Sequence, residues 1–129
     1  MIKVLFSIVL LFISTTSMAE DASGSTIGYQ SYDEALNDLK SNPKAKVTVQ
    51  QGWTIIEVNK DNEMALWSFT SKGHFAHPAV VKRNVVESKD TVSIIMNALC
   101  GAAKPECDKL IKQFEQLNEK ISQNMHKDS

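Results

Sequence analysis

The feature that most constrains this chain lies near its end. Leu110, Ile111, Phe114, Leu117, Ile121 and Met125 fall at i, i+1, i+4, i+7, i+11 and i+15. That spacing makes one apolar stripe along a helix of about four turns. Lys109, Lys112, Glu115, Glu119 and Lys120 occupy the opposite side. Pro105 suits the first turn, where a missing N–H costs nothing, and Glu106 and Asp108 suit the positive end of the helix dipole. Such a helix buries its stripe against a second layer. A partner's groove or a dimer seam would serve the same stripe.

The preceding stretch supplies that layer. Val47-Thr48-Val49 is a β-branched run stopped at Gln51-Gly52, and Trp53 to Val58 is a second run. The polar cluster Lys60-Asp61-Asn62-Glu63 makes a hairpin turn. Met64 to Thr70 alternates, with Ala65, Trp67 and Phe69 on one face and Leu66, Ser68 and Thr70 on the other. Val80 to Glu87 is a fourth strand, turned by Ser88-Lys89-Asp90, and Thr91 to Ala98 is a fifth. In the fifth, Val92, Ile94, Met96 and Ala98 alternate against Ser93, Ile95 and Asn97. Ahead of the strands, Ser31-Tyr32-Asp33-Glu34 is a capping box, in which Ser31 accepts from the Glu34 N–H and Glu34 reaches back to Ser31. Tyr32, Ala35, Leu36 and Leu39 follow at helical spacing, until Asn42-Pro43 ends the helix. The expected architecture is α+β: a two-layer domain with an antiparallel sheet of about five strands packed by a C-terminal helix, and a short N-terminal helix, in the order αβββββα.

The first residues carry a different kind of signal. Lys3 precedes an apolar run from Val4 to Ile13 broken only by Ser7, and Ser17-Met18-Ala19 offers small side chains at the positions a signal peptidase requires. A membrane anchor needs ~20 apolar residues, about twice this run. The sequence therefore predicts a signal peptide over 1–19 cut after Ala19, a flexible lead-in over 20–28, a single domain over 29–126 and a disordered tail over 127–129. Such a chain is expected in the periplasm or fully secreted, soluble, and without a membrane span after cleavage. Removing Lys3 from the 14 basic residues leaves 13 against 15 acidic ones. That balance offers no electrostatic footprint for nucleic acid or an anionic membrane.

Cys100 and Cys107 are the two cysteines, with six residues between them. In an oxidising compartment an even pair reads as a disulfide, here one that fixes the last strand against the last helix. A redox pair usually has two intervening residues, and a structural zinc site needs four ligands.

Chemistry concentrates between Trp67 and Arg83. This segment holds two of the three histidines, His74 and His77, and the only arginine, Arg83. The histidines are three apart in a loop tightened by Gly73 and Pro78, and imidazole suits zinc, copper or nickel. A catalytic zinc site needs a third protein ligand, and Glu87 and Asp90 lie at the far end of a strand. A loop histidine also suits acid–base work, and Arg83 can hold an anion through its planar fork. Ser68, Ser71 and Ser88 carry no nucleophile elbow. His77-Pro78 is followed by Ala79 between strands, which excludes the His-Pro-Asp loop of a J-domain. The quieter reading makes His74, Phe75 and Pro78 an ordered loop, Trp67 and Phe69 core, and Lys82 and Arg83 a strand's solvent edge. Burial of Trp53, Trp67 and Phe75 separates that reading from a recognition surface.

The run W-S-F-T at Trp67–Thr70 with H-P-A-V-V-K-R at His77–Arg83 resembles a family of small exported proteobacterial proteins, and C-D-K-L-I-K-Q-F-E-Q-L-N from Cys107 to Asn118 extends the likeness. The resemblance implies an exported single domain and no particular activity. The expectation is a non-catalytic binding module for a protein, peptide or envelope component, with His74, Phe75, His77, Lys82 and Arg83 as candidate contacts. That description fits an accessory subunit, an inhibitor, an immunity-type protein or a chaperone. No motif calls for a cofactor. The alternative is a small hydrolase or metal-binding protein using His74 and His77.

Overall fold

A computed structural model describes residues 27–127. The expected signal segment with its Ala19 cut, residues 20–26 of the lead-in and the last two residues lie outside the described residues. Five strands, β1 (Lys46–Gln50), β2 (Trp53–Lys60), β3 (Glu63–Phe69), β4 (Ala79–Ser88) and β5 (Thr91–Cys100), follow helix α1 (Tyr32–Ser41) and precede helix α2 (Lys104–Lys127). Each strand pairs antiparallel with the next, so the sheet order is the chain order. This is the α+β class and the αβββββα order that the sequence predicts.

Local chemistry sets the boundaries. Ser31 Oγ accepts from the Glu34 N–H at 3.1 Å, while the Glu34 carboxylate accepts from Gln30 N–H at 3.0 Å. The reciprocal half of the capping box thus lands one residue upstream of the expected Ser31. At the other end the Asn42 N–H donates to Leu39 O, and Pro43 prevents continuation. Gln51 and Gly52 both have positive φ, 51° and 83°, the backbone of a two-residue type I′ hairpin.

Alternation along the strands divides the apolar residues between two faces. On one, Ile56, Trp67, Phe69 and Val80 pack under Ala35 and Leu39 of α1. On the other, Ala79 and Val81 pack under Leu110 and Phe114 of α2, with Trp53 and Met96 beside them. The helices therefore flank the sheet on opposite faces, and α1 adds a partial third layer. Both faces of β4 are apolar near the loop that joins it to β3, with Val80 on one and Ala79 and Val81 on the other, so each demands a cover. Ile27, which the sequence reading left in the flexible lead-in, is 2% exposed and belongs to the α1-side core.

The α2 stripe is rotated from its expected line. Leu110 and Phe114 are buried, but Leu117 is 42% exposed. Asn118 faces the sheet instead, donating to Met96 Sδ at 3.5 Å. The sheet-facing row thus runs 110, 114, 118, 121, the i, i+4, i+8, i+11 line of a helix crossing a sheet.

A disulfide joins Cys100, the last residue of β5, to Cys107 in α2, with Cα atoms 5.9 Å apart. Between them the Gly101 N–H donates to Pro78 O at 2.8 Å. A side chain at Gly101 would bring its Cβ to 3.1 Å from Pro78 Cγ, so any larger residue would press on the β3–β4 loop and push Pro78 back by a few tenths of an ångström. Among the described residues no helix is long and apolar enough to cross a membrane.

Candidate functional site

The β3–β4 loop, residues 70–78, is held from both sides. Thr70 begins it, buried, with its Oγ1 accepting from the Ala79 N–H at 2.9 Å and lying 2.8 Å from His77 Nδ1. Its carbonyl accepts from the Tyr32 hydroxyl at 2.6 Å, which ties the loop to α1. Within the loop the His74 N–H donates to Ser71 O and the His77 N–H to His74 O. The Ala76 N–H donates to His74 Nδ1 at 3.0 Å. Ala76 itself is fully buried against the α2-side core.

So anchored, the loop sends its two histidines in opposite directions. The His77 ring meets Tyr32 edge-on at 5.1 Å, on the α1 side. The His74 ring meets Trp53 at 4.9 Å, on the α2 side, and lies against Phe75 at 4.2 Å. Each Nδ1 is engaged within the loop. Burial first, then the charges of His77 and Lys109, lower the His74 pKa below the usual histidine value. Among the described residues no three of His, Cys, Asp and Glu gather where one metal ion would sit.

The α2 side carries a continuous row of aromatic and cationic groups. Lys109 Nζ lies 4.4 Å over the Phe75 ring. Phe75 lies against His74, His74 against Trp53, and Trp53 against Phe114 at 5.7 Å. Arg83 closes the row, its guanidinium carbon 5.1 Å over the Phe114 ring. Three of the five expected contacts, His74, Phe75 and Arg83, thus share this side. His77 and Lys82 belong to the other, where Lys82 Nζ sits 4.8 Å over Trp67. Alternation in β4 makes that separation unavoidable, since Lys82 and Arg83 are adjacent in one strand.

Two expectations require correction here. β4 lies between β3 and β5, so Lys82 and Arg83 are not at a sheet edge. Arg83 is moreover only 8% exposed, because α2 crosses directly over it. Its Nη1 donates to Asn118 Oδ1 at 3.4 Å, and its Nε has no hydrogen-bond partner. Burial lowers its pKa from the usual arginine value. Trp67 is core, Trp53 is half-buried, and Phe75 is 40% exposed. The loop is therefore both ordered and displaying one aromatic ring to solvent. No local pattern marks Phe114 and Lys109 as site residues, because both belong to α2 and only the docked helix brings them to the loop. No protein family, curated protein or solved structure matches this chain.

Proposed function

We propose that this chain is an exported, non-catalytic binding module, and that it recognises a protein or peptide partner through Phe75 and its neighbours His74, Trp53 and Lys109. The observation that carries the reading is the exposure of Phe75 on a loop in which Thr70, His74, Ala76 and His77 are tied down by hydrogen bonds. Thr70, Ala76 and Ala79 beside it are buried, and hydrogen bonds to α1, β4 and the α2 leader fix the backbone. An aromatic ring held out by a rigid frame loses little conformational freedom on binding, which is what an interface anchor needs. Lys109 adds a charge at the rim, and His74 adds a polar edge. Export is supported by the pattern of residues 1–19 and by the Cys100–Cys107 pair in bonding geometry.

The hydrolase or metal reading of His74 and His77 gains no support from the geometry, because the two rings turn to opposite faces of the sheet and each Nδ1 is already engaged. The binding reading is tested by pull-down from an envelope extract, comparing the wild-type chain with Phe75→Ser. Phe75 is at the surface, so the variant should keep its fold and melting temperature while losing at least tenfold of captured partner. Equal capture by the two proteins would remove the loop from the argument.

A further inference from the structure

Arg83 poses a problem of its own, independent of the Phe75 surface. A guanidinium carries five donors and keeps its charge at neutral pH. Here it is 8% exposed, with one long hydrogen bond to an uncharged amide and an unpartnered Nε. The one ion pair among the described residues, Lys104 with Asp108, lies elsewhere. A buried charge without a counter-charge is strongly destabilising. The Phe114 ring offsets part of that cost through its π face, but it satisfies no donor.

Two cavities meet at this side chain. One is a groove of about 350 Å³ over β1 to β3, whose polar lining includes Lys46, Thr48, Gln50 and Glu57. The other is an apolar recess of about 130 Å³ beneath α2, lined by Met64, Leu66, Val85, Ile94 and Ile121. Arg83 and Leu66 line both. The groove's charged lining is Lys46, Glu57 and Arg83, two positive groups to one negative, and Glu57 makes no ion pair with either cation. The surplus charge is positive.

We propose that Arg83 anchors a binding site for a carboxylate bearing a short apolar group. The carboxylate meets the guanidinium, to which it is matched in shape and charge. The apolar group enters the recess beneath α2, and whatever precedes the carboxylate runs out along the polar groove. The recess is too small for a long acyl chain. A free short-chain acid and the C-terminus of a peptide ending in an apolar residue present the same chemistry.

The test uses the purified chain with N-acetylleucine, hexanoate and the peptide Ala-Ala-Leu, each beside its neutral amide. The acids should raise the melting temperature and shift the NMR resonances of Leu66, Ile94 and Ile121, while the amides bind at least tenfold more weakly. Tighter binding of the peptide than of hexanoate identifies a peptide C-terminus as the source, and the reverse identifies a free acid. Arg83→Met should melt at or above the wild-type temperature and lose the response to acid. Equal binding of acid and amide, no response of the wild type at millimolar acid, or an unchanged response in Arg83→Met would each overturn the proposal. Should the methionine variant fail to fold, the acid-against-amide comparison on wild type still decides.

Discussion

The His74 ring can hold the Ala76 N–H only while it is neutral. Its Nδ1 is the acceptor at 3.0 Å, and an imidazolium has protons on both nitrogens and accepts nothing. Burial and two neighbouring groups lower its pKa in the folded chain, so the unfolded chain binds the proton first. Stability is therefore complete above the ordinary histidine value of ~6.5. It falls as pH drops through that value, and the fall ends once the folded chain is protonated too. Melting temperature measured from pH 7.5 down to 5 should decline in the wild type. His74→Asn retains an acceptor but does not titrate, and its decline should be shallower. Parallel curves would place the titrating group elsewhere.

Among the elements, α2 contributes most to the candidate sites and is the most dependent on a covalent tie. It supplies Lys109 to the Phe75 surface and Phe114 and Asn118 to Arg83, and the Cys100–Cys107 bond fixes its first turns to β5. Closing so short a ring contributes about 2.5 kcal/mol in the loop-entropy account. A Cys100→Ser/Cys107→Ser variant should lose stability of that order in urea unfolding. The wild-type chain should weigh two hydrogens less than its reduced form. A free-thiol mass for protein prepared without reductant would contradict the bond.

Elements were the legible part of the sequence. The alternation of β3 and β5, the turn at Gln51-Gly52 and the cap at Ser31 are local signals, and each is found where its residues indicate. The relative placement of elements was not legible. Nothing within the segment from Lys82 to Arg83 says that α2 will cross one face and α1 the other, so the burial of Arg83 could not be read from β4. Leu117 and Asn118 show the same limit. Periodicity favoured the leucine, but the crossing line of the helix chose the asparagine. The site loop was visible as a cluster of unusual residues, whereas the row from Lys109 to Arg83 joins positions from β2, β4, the loop and α2.

On the scale of the molecule, two cores share one sheet. Trp67 belongs to the α1-side core and Trp53 borders the α2-side core, and the chain has no other tryptophan. Each therefore reports on one face. Because Ile56, Val80 and Val81 stand on strands common to both, the faces should lose structure together. Trp53→Phe and Trp67→Phe variants, followed by fluorescence in urea, should give transitions that coincide with circular dichroism of the same sample. A fluorescence transition displaced from the circular dichroism of its own variant would mean that one helix leaves the sheet first.

A sheet whose spatial order equals its chain order also has a consequence for timing. No strand waits for a partner made later, so every hairpin can close as soon as its second strand is complete. Nearest-neighbour pairing keeps sequence separations short, which favours rapid assembly. The long-range steps are α1 meeting β3 and β4, and α2 swinging back over β4. Because Phe114 and Asn118 of α2 are what cover Arg83, its guanidinium stays hydrated until that helix docks, and the dehydration of this charge is tied to that one step.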